Sequence, residues 1–182
     1  MNPIVSQRPS DEDTLQAALA DVFRANDWIA VREYTPDRSN HRIDIFAEHD
    51  DYGQIGIETK YIRSDRDGQR LAEAFLQVER DYSRRLYNGT RIKLWAIAPY
   101  FAAGTLDGTT DDRRLMDFIR AFLTRVGIGV LDCHARTLKI QYDTDRSDTT
   151  VPVAGPYADT YAARLDTDGL RDLVSDRRSE RQ

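Results

Sequence analysis

A single cysteine, Cys133, in 182 residues excludes an intramolecular disulfide and any Cys-rich zinc site. No apolar run approaches the roughly 18 residues of a membrane span. The opening stretch MNPIVSQRPSDEDT has neither the basic start nor the apolar core of a secretion signal. A Gly-rich phosphate loop closed by lysine is also missing, so no nucleotide hydrolysis of its own is visible. Lysine is scarce: among 26 basic residues only Lys60, Lys93 and Lys139 are lysines, and the other 23 are arginines. With 40% hydrophobic and 31% charged residues, the chain is expected to form one globular core, to be cytoplasmic and to have no membrane partner.

Charge is unevenly spread. The formal net charge is −5, yet residues 1–59 carry −7, residues 60–93 carry +4 and residues 94–182 carry −2. The overall balance argues against a nucleic-acid partner, whereas the basic middle segment reopens that question.

The hydrophobic spacing predicts a helix over residues 10–25, with Ser10 as N-cap, Asp13 at the capping-box position, and Leu15, Leu19, Val22 and Phe23 inward. Strands are expected at 28–34, 42–47 and 54–62, the last two forming a hairpin that turns near Gly53. A second helix should run from Asp67-Gly68 to about Tyr87, burying Leu71, Phe75, Val78, Tyr82 and Leu86. Residues 91–98 read as a central strand covered on both faces, and 99–110 as a loop. A third helix at 111–126 should bury Leu115, Ile119, Phe122 and Leu123, before short strands near 128–132 and 137–142. The order predicts one α/β domain with a mixed sheet over residues 1–142, and a polar extension at 143–182 containing a helix around 157–174.

The chemistry concentrates in two strands. In the second, Ile43 and Ile45 should point one way and Asp44 the other; in the third, Glu58 and Lys60 share one face and Ile57 and Thr59 the opposite one. Charges on an apolar strand need a partner, a metal or water. An antiparallel hairpin brings Asp44 close to Glu58, and two such carboxylates repel unless a cation lies between them. Hard oxygen ligands suit Mg²⁺ or Mn²⁺, while a structural ion pair with Lys60 explains the same letters.

Ile43-Asp44-Ile45 and Ile57-Glu58-Thr59-Lys60, in a helix–three strands–helix–strand order, resemble the PD-(D/E)xK nucleases of the restriction-endonuclease-like fold. The likeness covers about residues 10–98, and the motif is short and degenerate. The position before the Asp, often Pro in that family, is Ile43 here. The resemblance implies a restriction-endonuclease-like mixed β-sheet flanked by helices, and a magnesium- or manganese-dependent nuclease (an endonuclease or exonuclease) that hydrolyses DNA phosphodiesters. Asp44 and Glu58 would hold the metal with the Thr59 backbone carbonyl, and Lys60 would position the attacking water. DNA is the implied partner, and the fold leaves room for a homodimer.

Several members, archaeal Holliday-junction resolvases among them, place a Glu on the first helix facing the site. Glu12 matches by phase, three and seven residues before Leu15 and Leu19, with Asp13 on the outer face; it would also serve as a plain helix-dipole partner. On the second helix Gln77 resembles the family's glutamine beside the site, although a Q-x3-Y spacing meets Asp81 here; an exposed helix glutamine is the other reading. Arg42, Arg63, Arg66, Arg70 and Arg84 surround the site in sequence, either as DNA phosphate contacts or as a solvated face paired with Glu73, Glu79 and Asp81. A non-catalytic restriction-like module that binds nucleic acid or a partner protein is the competing expectation.

Overall fold

A capping box opens the first helix, α1 (Glu12–Arg24). The Asp11 carboxylate accepts the Thr14 N–H at 2.8 Å, and the Thr14 hydroxyl oxygen accepts the Asp11 N–H at 3.1 Å. The N-cap is therefore Asp11 and not Ser10, because Asp11 is the residue with a carboxylate three positions before Thr14. This computed structural model describes residues 9–35, 41–63, 68–82, 92, 94–102, 119–131, 133, 138–142 and 150–154.

After α1 come β1 (Ile29–Tyr34), β2 (Ile43–His49) and β3 (Gly53–Ile62), then α2 (Gly68–Leu76), which continues as a π-helical stretch Gln77–Tyr82. β4 (Leu94–Phe101) follows, then helix α3 over 119–125, β5 (Gly129–Leu131), β6 (Leu138–Gln141) and β7 (Thr150–Ala154). Among the described residues all seven strands form one sheet in the order β1-β2-β3-β4-β5-β6-β7. The β2–β3 hairpin turns at Gly53, whose φ of 66° is readily reached only without a Cβ. β3 pairs β4 in parallel, as does β4 with β5, while the other neighbours are antiparallel. Parallel pairs need crossovers, and α2 lies in the β3–β4 connection.

Each face of the sheet has its own apolar layer. Leu15, Leu19 and Phe23 of α1 pack with Ile45, Ile57, Leu94, Ala96 and Ala98. On the opposite face Ala74 and Val78, with Ile119 and Leu123 of α3, pack against Trp95, Ile97 and Ile62. β4 thus lies covered on both faces, as its composition indicated, and it extends to Phe101, into the segment expected to be loop. Gly56 is required by close approach, since a Cβ there would sit 2.3 Å from the Trp95 ring.

Other expectations need correction. Phe122 is half exposed instead of buried, because the α3 stripe that meets the sheet is Ile119 and Leu123. The sheet continues past residue 142: β7 adds Val151 and Val153 to the α1-side layer. Its five residues include Pro152, which hides the strand from pattern reading and is tolerated because β7 is an edge. Tyr87, Leu86, Leu115 and the expected helix at 157–174 lie outside the described residues. Among the described residues no helix is long and apolar enough to cross a membrane.

Candidate functional site

The β2–β3 ladder runs from His49↔Gly53 to Ile45↔Ile57. One step further, the Asp44 carboxylate takes over: its Oδ2 accepts the Thr59 backbone N–H at 2.8 Å and the Thr59 hydroxyl at 2.9 Å. Burial pushes the Asp44 carboxyl up from its ordinary value, against the downward pull of the Thr59 N–H.

Glu58, beside Thr59 on β3, is 1% exposed. Its Oε1 accepts a hydrogen bond from Lys60 Nζ at 2.6 Å, and its Oε2 is buried and, among the described residues, has no hydrogen-bond partner. Burial, and then the nearby charge of Asp44, push its carboxyl up to about 8 despite the pull of Lys60. For Lys60 burial works in the lowering direction, but Glu58, Asp44 and Glu12 together outweigh it and hold the ammonium above its usual value.

Glu12, on the first turn of α1, completes the group. Its Oε1 is 3.6 Å from Lys60 Nζ, and its Oε2 is 3.7 Å from an Arg70 guanidinium nitrogen and accepts the Tyr61 N–H at 3.5 Å. The helix start is anchored to the end of β3, since Tyr61 donates its hydroxyl to the Pro9 carbonyl at 3.1 Å and Arg63 donates to the Ser10 carbonyl at 3.3 Å. The inward phase of Glu12 is therefore real, and Asp13 lies on the outer side, held by Arg32.

The structure thus brings together Glu12, Asp44, Glu58 and Lys60, with Arg70 at the rim. Among the described residues no three carboxylate, imidazole or thiolate groups already close around one point; the Lys60 ammonium lies between Glu58 and Glu12 instead. The donor set still suits a hard divalent cation: hard oxygens, one of them the bare Glu58 Oε2, in a buried setting that binding of a cation would relieve.

Other named residues sit differently. Gln77 begins the π-helical stretch, half buried, and among the described residues makes no hydrogen bond with Glu12, Asp44, Glu58 or Lys60. Arg42 pairs with Glu33 at 3.1 Å, Arg63 lies over the Tyr61 ring at 5.4 Å, and Arg70 donates to the Tyr61 carbonyl at 3.3 Å. Arg66 and Arg84 lie outside the described residues. The resemblance implies a carbonyl role for Thr59, whereas its N–H and hydroxyl are what fix Asp44; a hydroxyl residue flanked by Glu58 and Lys60 is the signal for this in the sequence. Regular alternation also puts Ile43 and Ile45 on one face, whereas Ile43 belongs to the α2-side layer and Ile45 to the α1-side layer.

Fold and site together define an α/β protein whose mixed sheet, seven-stranded among the described residues, carries a buried Glu58–Lys60 pair beside the partly buried carboxylates of Asp44 and Glu12. No protein-family model and no curated protein matches the sequence. Among solved structures, a protein of unknown function from Silicibacter pomeroyi is similar over 90% of this chain and 89% of that one, at 17% identity and a TM-score of 0.35.

Proposed function

We propose that the chain is a metal-dependent DNA phosphodiester hydrolase of the PD-(D/E)xK type, cytoplasmic and restriction-endonuclease-like in its core. The observation that carries this reading is Glu58 Oε2, a buried carboxylate oxygen with no partner among the described residues, in a cluster with Asp44, Glu12 and Lys60. An ion pair built only for structure would be expected to satisfy both oxygens, since an unmet buried acceptor is costly. Asp44, Glu58 and Glu12 would hold Mg²⁺ or Mn²⁺. When bound, such a cation polarises the scissile phosphate and makes water a stronger nucleophile.

The chain's own residues supply the rest. Thr59 holds the Asp44 carboxylate in one orientation through two hydrogen bonds. Lys60, released from Glu58, aligns a water for in-line attack and offsets the charge that grows on the phosphate oxygens. Arg63, just past β3, and Arg70, on α2, would contact neighbouring phosphates, which would make binding salt-dependent.

A second reading, a module that binds nucleic acid or a partner protein without cutting, draws on the closed Lys60–Glu58 pair and on arginines already bonded within the protein. One assay separates the two: cleavage of linear, branched and single-stranded DNA with Mg²⁺ or Mn²⁺, alongside Asp44→Ala and Lys60→Ala. The nuclease reading expects divalent-dependent cleavage that both substitutions abolish. Salt-sensitive binding without cleavage would establish the second reading.

A further inference from the structure

β1 and β2 change faces at the same step. Along β1, Ala30 belongs to the α1-side layer and Arg32 reaches the Asp13 carbonyl on α1 at 3.2 Å, whereas Tyr34 packs with the α2-side layer. Along β2, Ala47 and Ile45 face α1, whereas Ile43 faces the other way. A regular strand keeps every second residue on one side. The paired positions bracketing the switch are Arg32↔Ile45 and Tyr34↔Ile43, so Glu33 and Asp44 are the residues between them on the two strands.

Glu33 has φ +50°, in the left-handed region that residues with a Cβ avoid and that is foreign to a strand interior. The switch has a consequence for the site. Under regular alternation Asp44 would share the side of Phe46, which packs with the α2-side layer. Thr59 shares the parity of Ile57 and Tyr61, which belong to the α1-side layer. The two hydrogen bonds from Thr59 to Asp44 depend on the strand having turned between Ile45 and Ile43.

We infer that Glu33 is a positioning residue whose left-handed backbone turns the β1–β2 ribbon by one face, so that Asp44 reaches Thr59 and joins the carboxylate cluster. The backbone carries this role. The side chain pairs with Arg42 at 3.1 Å, with both groups about half exposed, an ion pair that contributes little at a surface. In its cleavage readout the inference rests on the nuclease reading; in its structural readout it does not.

The test sorts substitutions by their tolerance of positive φ. Glu33→Gly and Glu33→Asn accept that conformation, while Glu33→Val and Glu33→Thr resist it. The first readout is hydrogen exchange of the Thr59 amide relative to the other β3 amides. The second is the rate of DNA cleavage with Mg²⁺. Gly and Asn should leave both at the wild-type level although they remove the Arg42 pair. Val and Thr should expose the Thr59 amide and slow cleavage on the order of 100-fold, the scale of a misplacement of about 1 Å. Should neither β-branched variant fold, Glu33→Gly decides alone: retained Thr59 protection supports the inference, and lost protection overturns it. Four variants that behave alike would also overturn it. If Thr59 protection follows the expected order while the wild-type protein cuts no DNA, the nuclease reading falls and the inference about Glu33 stands.

Discussion

Lys60 reaches back along its own strand to Glu58, two residues earlier, and bonds one carboxylate oxygen at 2.6 Å while the other oxygen is buried and unpartnered among the described residues. Residues two apart on a strand share a face, so this pair follows from local geometry. Its burial does not, because the surrounding layers provide it. Removing one partner of a buried pair is costly, whereas replacing both by apolar groups is often neutral.

Lys60→Met should therefore destabilise the fold by about 1–3 kcal/mol, because it removes the donor bonded to the buried Glu58 Oε1. The double variant Glu58→Leu, Lys60→Met should recover most of that loss, and no cleavage should remain in either. Urea unfolding of the two single variants and the double variant checks this; a double variant weaker than both singles would contradict it.

The Glu58 carboxyl, pushed up from an ordinary 4.5 to about 8, sets a pH dependence. The folded state holds this proton more tightly than the unfolded chain, so its contribution to stability is complete below the ordinary value and is lost as pH rises through about 8. A divalent cation competes with the same proton. The rise in unfolding midpoint produced by Mn²⁺ or Mg²⁺ should therefore grow between about pH 6 and about pH 9. Thermal melts with and without the cation test this, and an increment that shrinks with pH would remove Glu58 from the ligand set.

Asp44→Ala should leave both the N–H and the hydroxyl of the fully buried Thr59 without their acceptor, at a cost of about 1–3 kcal/mol. Asp44→Asn keeps an oxygen acceptor and should lose less stability, yet cleave no better. Thr59→Val removes only the hydroxyl bond and should cost about 1 kcal/mol with reduced but measurable cleavage. Denaturant midpoints and cleavage rates for the three variants give the ranking directly.

Gly56→Ala would drive a methyl group into the Trp95 ring, 2.3 Å from Cζ3, inside a fully buried layer. Overpacking of this kind costs about 1–3 kcal/mol. The Trp95 fluorescence should change, while folded protein keeps its divalent response. A variant as stable as the wild type would mean that β3 and β4 approach less closely than described.

Much of the architecture was readable from pattern alone. The 3.6-residue spacing of Leu15, Leu19 and Phe23, the alternation through Ile55, Ile57 and Thr59, and the apolar run into Ala98 each report local burial, and local burial is what periodicity encodes. The motif letters at Asp44, Glu58 and Lys60 were visible for the same reason, and so was the inward phase of Glu12.

What the sequence by itself determined, then, was where α1 and the strands β1 to β4 lie and which charged groups sit among their apolar residues, because neighbours along the chain set those properties. Tertiary structure alone decided that Thr59 holds Asp44 across 15 residues and that Tyr61 meets Glu12 across 49. It also decided that β7 joins the far edge, and that β1 and β2 turn over at Glu33 and Asp44. These features are distances and backbone angles between segments brought together by packing. No spacing rule reaches that far, because the physical reason for each contact lies in the partner segment, not in the residue's own neighbours.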